Sequence, residues 1–341
     1  VENPPVSAGV SAALVRASAP VRLDFAGGWT DVAPFSDREG GAVVAAAIDL
    51  RVRAEFEPGG SGLLLRSEDL NQAVRVTGAT ELSGDGPLAL HRAAVRMLPV
   101  GPGTLRTRSE VPPGSGLGSS GAMDVVLVAV LAAARGETLS PEEIAALGWE
   151  LEVIEAGLPG GRQDQYAAAL GGFHRFTFKG TAVGIEPLAL DPGFQAELER
   201  RLVLCYTGSS RLSGDTISRV MSAYERGEPE VTGALHELGE LAHRMAAALG
   251  AADFAAMGGL LSANWAAQQR LDERMATPEM TALEVAMRAA GCLGGKASGA
   301  GAGGCMFFLA GEDVAAARAA AQGRGARLLP VRWSHTGVEL C

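Results

Sequence analysis

The chemistry in this chain is concentrated in one string of small residues, Pro112-Pro113-Gly114-Ser115-Gly116-Leu117-Gly118-Ser119-Ser120-Gly121-Ala122. Glycines let a backbone approach an anion closely, and a helix start offers free N–H groups and a positive dipole end. Two adjacent serines add hydroxyl donors, one of which can reach a phosphate-bound Mg²⁺. The string reads as a cradle for a nucleoside triphosphate. It is not a Walker A loop, because no Lys precedes the serine pair. No βαβ unit with an acidic residue about 20 positions on surrounds it, so it is not a dinucleotide fingerprint either. A glycine-rich turn without a ligand is the competing reading.

A second segment, Gly160-Gly161-Arg162-Gln163-Asp164-Gln165-Tyr166, carries a carboxylate beside an arginine and a glycine turn. Such a group can accept a hydroxyl proton, or stabilise a hydroxyl as it attacks phosphorus. Glu152 lies 12 residues earlier. Two carboxylates of one helix–turn unit can divide labour, one on Mg²⁺ and one on the acceptor hydroxyl. Glu150 and Glu155 are rivals on nearby faces, and a solvated helix carboxylate is the plain alternative. The five histidines show no metal-ligand spacing, so none is assigned to a metal or a catalytic pair.

These residues need elements to hold them. Short apolar or alternating runs predict strands at Val21–Phe25, Ala42–Ile48, Val52–Phe56, Leu63–Arg66 and Thr104–Ser109. Ala89–Met97 reads as a helix. Ala122–Ala134 is apolar nearly all round and predicts a buried helix. Ser140-Pro141-Glu142-Glu143 is a helix start, and the helix should run to about Glu155. Further on, Leu202–Tyr206, Met306–Leu309 and Arg327–Trp333 predict strands. Ser213–Glu225, Glu230–Leu249, Phe254–Glu273, Met280–Ala290 and Val314–Gln322 predict helices.

Length and composition bound the class. The 341 residues suit two domains or one large one. With 47% hydrophobic and 20% charged residues the chain should fold without staples. A net charge of −10 and 5% aromatics disfavour a nucleic-acid binder. Cys205, Cys292, Cys305 and Cys341 form no C-x-x-C pair and read as reduced thiols of a cytoplasmic protein. No membrane span or signal peptide is expected, and residues 1–13 read as a loose tail.

The serine–glycine string resembles the second motif of the GHMP kinases, which include galactokinase, homoserine kinase, mevalonate kinase and phosphomevalonate kinase. Pro20-Val21-Arg22-Leu23-Asp24-Phe25-Ala26-Gly27-Gly28-Trp29-Thr30-Asp31 resembles their first motif. Lys296-Ala297-Ser298-Gly299-Ala300-Gly301-Ala302-Gly303-Gly304-Cys305 resembles their third. The resemblance implies an α+β, two-domain fold. Residues 14–190 would form a ribosomal protein S5 domain 2-like N-terminal domain, and 191–341 a ferredoxin-like C-terminal domain. The active site would lie in the cleft between them.

The resemblance also implies roles. Residues Pro113, Gly114, Ser115, Gly116, Leu117, Gly118, Ser119 and Ser120 would wrap the phosphates of ATP. Ser120 (or Ser119) and Glu152 would hold Mg²⁺, and Asp164 would be the catalytic base. Arg22 would be the cation at the transferring phosphoryl group, with a salt bridge to Asp24 or Glu110 as its alternative. Asp31 would accept sugar hydroxyls, with a turn or N-cap as its alternative. Gly28, Trp29, Gly161, Arg162, Arg211 and Gly301 would complete the substrate side, although Trp29 could equally plug the core.

Galactokinases carry Glu-His where this chain has Gly28-Trp29. The Gly27–Asp31 string looks like that of fucokinases and, glycine at position 29 apart, like that of D-glycero-D-manno-heptose 7-phosphate kinases. Residues 160–172 and 206–211 resemble both. These relatives phosphorylate the anomeric hydroxyl. A sugar 7-phosphate needs cations in the far pocket, and Arg162, Lys179 and Arg211 are candidates. The expectation is a sugar 1-kinase of the heptose-phosphate type, using ATP and Mg²⁺, as a cytoplasmic monomer or homodimer. L-fucose kinase is the near alternative. A non-catalytic sugar sensor and a helical scaffold are the alternatives from other classes.

Overall fold

The computed structural model describes residues 13–83, 86–208 and 214–341. The first sheet holds β1 (Val15–Ala26), β2 (Gly41–Pro58), β3 (Leu63–Ser67), β4 (Gln72–Val76), β5 (Gly103–Ser109), β6 (Phe173–Lys179) and β7 (Ala182–Pro187). The second holds β8 (Leu202–Tyr206), β9 (Gly294–Ala297), β10 (Cys305–Leu309) and β11 (Arg327–Leu329), in the order β11-β8-β10-β9 and antiparallel throughout. The last strand, β12 (Glu339–Leu340), returns to pair with β1, giving the first sheet the order β12-β1-β2-β5-β3-β4 with β6 and β7 continuing from β2. Among the described residues, only β3 and β5 pair in parallel.

The helices are α1 (Phe35–Arg38), α2 (Ala89–Met97), α3 (Ser119–Ala134), α4 (Pro141–Trp149), α5 (Gln163–Leu170), α6 (Pro192–Arg201), α7 (Gly214–Glu225), α8 (Pro229–Gly250), α9 (Phe254–Gln269), α10 (Pro278–Ala289) and α11 (Val314–Gly323). Helix α3 is packed against β1, β2, α4 and α5, and its Val125–Leu131 stretch is buried as its all-round apolar sequence requires. Ser140 caps α4 with a complete capping box through Glu143. A second core gathers Trp265, Met280, Met287, Phe308 and Ala317 between α9, α10, α11 and the smaller sheet. Among the described residues, no helix is long and apolar enough to cross a membrane.

Several elements differ from the expectation. The two strands predicted over residues 42–56 are one, β2, whose pairing with β1 skips two residues between Ile48 and Arg51. This bulge is what the sequence shows as a polar break at Asp49. The helix expected to reach Glu155 ends at Trp149 and continues as a π-helix over Glu150–Glu155, closed by Ala156 N–H donating to Leu151 C=O. The last predicted strand stops at Leu329, and Trp333 makes an isolated bridge to Ile48. The sequence reading gives no strand at β4, β6, β7, β9 or β12. The cysteines are free; Cys205 and Cys305 are buried. His91 is a core residue bonded to Thr107 Oγ1 at 2.7 Å, and burial pushes it down to about 4.

Candidate active site

Strand β1 delivers the first side chains. Arg22 and Asp24 point to the same face two residues apart and are both buried. Arg22 Nε and Nη2 donate to Asp164 Oδ1 at 2.8 and 2.7 Å, and Nη1 donates to Gly116 C=O at 2.6 Å. The alternative partners are occupied elsewhere. Glu110 binds Arg53 and the Arg51 N–H, while Asp24 accepts from Lys296 Nζ at 2.7 Å. Lys296 is fully buried, and its ammonium also bonds the Asp24 C=O. Asp24 takes the Gly299 N–H as well. The first and third glycine segments are thereby pinned together across 272 residues. The second and third are joined by Cys305 N–H donating to Ser115 C=O at 2.7 Å.

The serine–glycine string ends at the N-terminus of α3, where Gly118 adopts a left-handed cap conformation. The free N–H groups of that first turn face a cavity of about 560 Å³. Gly114, Gly116, Gly118, Ser119 and Ser120 line it. Pro113, Ser115 and Leu117 do not: Ser115 and Leu117 are turned into the core, and Pro113 is exposed outside the lining.

Glu152, Asp164 and Asp31 line the same cavity. The π-helix sends the three glutamates to different surroundings. Glu155 pairs with Arg96, Glu150 is exposed, and Glu152 turns inward to accept from the Ser120 hydroxyl and from Gln165 Nε2. Burial pushes Glu152 up to about 7, with Asp164 adding to it and the Ser120 and Gln165 bonds opposing. Asp124, one helical turn beyond Ser120, is raised well above the carboxylate range by burial and by the Glu152 charge. Burial also raises Asp164, against the pull of Arg22.

Asp31 is 2% exposed and sits in a backbone cradle. Its Oδ2 accepts the N–H groups of Arg162 and Gln163 at 2.8 and 3.0 Å, and its Oδ1 accepts from Gln163 Nε2 at 3.2 Å. Burial raises it to about 6 in spite of those donors. Gly161 is glycine because a Cβ there would stand 2.0 Å from Asp31 Oδ2. Trp29, at φ 85°, is 5% exposed; it packs in the main core and also lines the cavity, so neither expected role excludes the other.

Four substrate-side expectations need correction or lie outside the described residues. The Arg162 side chain turns away from the cavity to Gly180 C=O, Asp37 and the Trp149 ring, so only its backbone N–H serves the site. Gly301 packs against Met275 and Gln268; Gly299 and Ala300 supply the third loop's share of the lining. Arg211 lies outside the described residues. Lys179 donates to Arg38 C=O away from the lining. Sequence reasoning missed Asp124, Gln163, Gln165, the Asp24–Lys296 pair and Asp215, which enters the lining from α7.

Ser120 and Glu152 offer adjacent hard oxygen donors, the kind Mg²⁺ takes in ones and twos beside nucleotide phosphates. The donor set therefore fits that ion. Among the described residues, no group of three or more His, Cys, Asp or Glu could hold a metal.

The chain matches the family models for the GHMP kinases N terminal domain over residues 88–172 and the GHMP kinases C terminal over residues 233–326. It is 32% identical to the D-glycero-alpha-D-manno-heptose 7-phosphate kinase of Campylobacter jejuni, covering 86% of this chain and 89% of the relative. It is 28% identical to a mevalonate kinase of Thermococcus sibiricus over 96% of this chain and 98% of that one. The crystal structure of a D-glycero-D-manno-heptose 1-phosphate kinase from Bacteroides thetaiotaomicron superposes with a TM-score of 0.76 at 26% identity, covering 96% of this chain and 98% of that chain.

Proposed function

We propose that this chain, which belongs to the GHMP kinases and is an ATP-dependent sugar kinase, phosphorylates the anomeric hydroxyl of D-glycero-D-manno-heptose 7-phosphate. The observation that carries the reading is the convergence of Asp31, Asp164 and the α3 N-terminus on one cavity. The 32% identity to a heptose 7-phosphate kinase supports the choice of sugar.

In this reading Asp31 orients the sugar through its hydroxyls. Asp164 takes the proton of the anomeric hydroxyl; both Arg22 bonds fall on Oδ1, and the Oδ2 side of the carboxylate lies against Gly118. The hydroxyl oxygen forms the new bond to the γ-phosphorus, the bond to the bridging oxygen breaks, and ADP leaves. Arg22 and the free N–H groups of α3 stabilise the charge that spreads over the transferring group. Ser120 and Glu152 would hold Mg²⁺, which supplies charge neutralisation on the phosphates. The proposed division of the chain is 14–190 and 191–341: β1–β7 precede it and β8–β11 follow, with β12 crossing back.

A second reading is favoured by one observation. Among the described residues lining the cavity, Arg22 is the only cation, and it is already paired with Asp164. An unphosphorylated sugar such as L-fucose needs no further cation. A coupled ADP-release assay separates the two, with heptose 7-phosphate, fucose, galactose, mannose, glucose, N-acetylhexosamines, mevalonate and homoserine as acceptors. Phosphorus NMR of the product then reports the position. Turnover confined to the 7-phosphorylated heptose supports the first reading. Turnover with fucose replaces it with the second. Turnover with mevalonate removes both.

A further inference from the structure

Helix α3 is apolar along its buried length except at Asp124, which is fully buried. Burying a carboxyl in a helical core costs free energy that an aliphatic side chain would not. Packing therefore gives no reason for it, and its surroundings point elsewhere. Asp124 is four residues after Ser120, so the two stand one turn apart on one face of α3. Opposite them lies Gln165 of α5, also fully buried. Its Nε2 donates to Glu152 Oε2 at 2.7 Å and to Asp124 Oδ2 at 3.1 Å. The two hydrogens of one amide thus join two carboxyl groups. Glu152 Oε1 receives the Ser120 hydroxyl. Helix α4 closes the recess at Gly148, where a Cβ would stand 3.3 Å from Gln165 Cγ and 3.4 Å from Asp124 Cβ.

We propose that Asp124 is a positioning residue of the phosphoryl-transfer site: it holds the Gln165 amide in the orientation that aims Glu152 at Ser120. The inference rests on the reading of Glu152 and Ser120 as the cation-holding pair. Without the Asp124 acceptor the amide is free to turn about its last torsion. Glu152 then loses its fixed partner, and the pair loses its preset geometry. Outer contacts of this kind typically change metal affinity about 10–100-fold.

The test is a Mn²⁺ titration of the intact protein with a non-hydrolysable ATP analogue, read by electron paramagnetic resonance, together with initial rates. Asp124→Ala should weaken Mn²⁺ binding about 10-fold or more and leave the sugar KM unchanged. Asp124→Asn keeps an acceptor oxygen and should stay within about twofold of wild type. Gln165→Met should show the loss of Asp124→Ala, and the double variant should show no further loss. Unchanged Mn²⁺ affinity in Asp124→Ala overturns the proposal, as does Asp124→Asn binding as poorly as Asp124→Ala. If Asp124→Ala does not fold, Gln165→Met decides: wild-type affinity there overturns the proposal. Glu152→Gln separates the premise. If it leaves Mn²⁺ binding intact, the metal reading of Glu152 falls. If it weakens binding while Asp124→Ala does not, only the positioning role falls.

Discussion

Adding one methyl group at Gly161 should cripple sugar recognition while sparing the nucleotide side. The new Cβ would lie 2.0 Å from Asp31 Oδ2, 2.5 Å from Cγ and 2.9 Å from Oδ1. No carbon–oxygen contact of that length survives, so either Asp31 moves by about 1 Å or the glycine turn does. In both cases Oδ2 loses the Arg162 and Gln163 N–H groups, now at 2.8 and 3.0 Å. Hydrogen bonds to a charged group are worth about 1.5–3 kcal/mol each. A misplacement of about 1 Å at a positioning group costs up to about 10²-fold in rate. Gly161→Ala is therefore expected to lower kcat/KM for the sugar by about 10²-fold, chiefly through KM. The Mg-ATP thermal shift should survive, because Asp31 bonds to Arg162 and Gln163 rather than to the Gly114–Ser120 string. Steady-state kinetics against both substrates, with thermal melts of each state, make the check. A sugar KM within twofold of wild type would refute the argument that Asp31 holds the sugar. Equal losses for sugar and ATP would show a general collapse of the cleft instead.

Asp164→Asn should lower kcat by about 10²–10⁴-fold while keeping the Mg-ATP thermal shift; more than a tenth of wild-type turnover would remove Asp164 from the role of base. Glu152, raised from 4.5 to about 7 in the folded chain, makes a contribution to the ligand-free protein's stability that is fully present below pH 4.5 and is lost as pH rises through 7, by about 3 kcal/mol. Denaturant melts between pH 5 and 8 should show wild type losing stability relative to Glu152→Gln, and parallel curves would contradict the shift. Lys296→Met leaves the Asp24 carboxylate buried without its partner and should cost about 3–5 kcal/mol, with Asp24→Asn added to it recovering part; an unaffected single variant would mean the pair contributes nothing to holding the first and third loops together.

What could be read in the sequence was whatever a local string encodes. The serine–glycine string, the cap at Ser140 and the apolar α3 each carry their physics within a few residues, and each lies where the sequence puts it. Strand β6 was missed because Phe173-His174-Arg175-Phe176-Thr177-Phe178-Lys179 breaks its alternation at His174 and Arg175. The Asp24–Lys296 pair spans the chain, and no local pattern announces a partner at that distance. Arg162 shows a subtler limit. Its place in the segment was informative, but the site uses its N–H and sends the guanidinium to Trp149, which only the backbone path reveals. Asp124 did leave a signal, a lone carboxyl inside an apolar helix.

The electrostatics of the cavity look wrong for a polyphosphate at first sight. Asp31, Glu152, Asp164 and Asp215 line it, while among the described residues Arg22 alone supplies a positive side chain. Burial raises Asp31, Glu152 and Asp164, so their negative charge is costly in the ligand-free site. The layout separates the two problems. In the proposed reading the phosphate side is built from backbone N–H groups at the α3 N-terminus, which attract anions without adding a titrating group. In the proposed reading the carboxylates meet that side, where a cation would relieve Glu152 and an acceptor hydroxyl would satisfy Asp31 and Asp164. Arg22 stands between the two, bonded to Asp164 on one side and to the Gly116 carbonyl of the serine–glycine string on the other. Its planar fork reaches both at once, which a single ammonium could not do with the same geometry. In the proposed reading, the cation that a nucleotide brings would offset the carboxylates of the described lining.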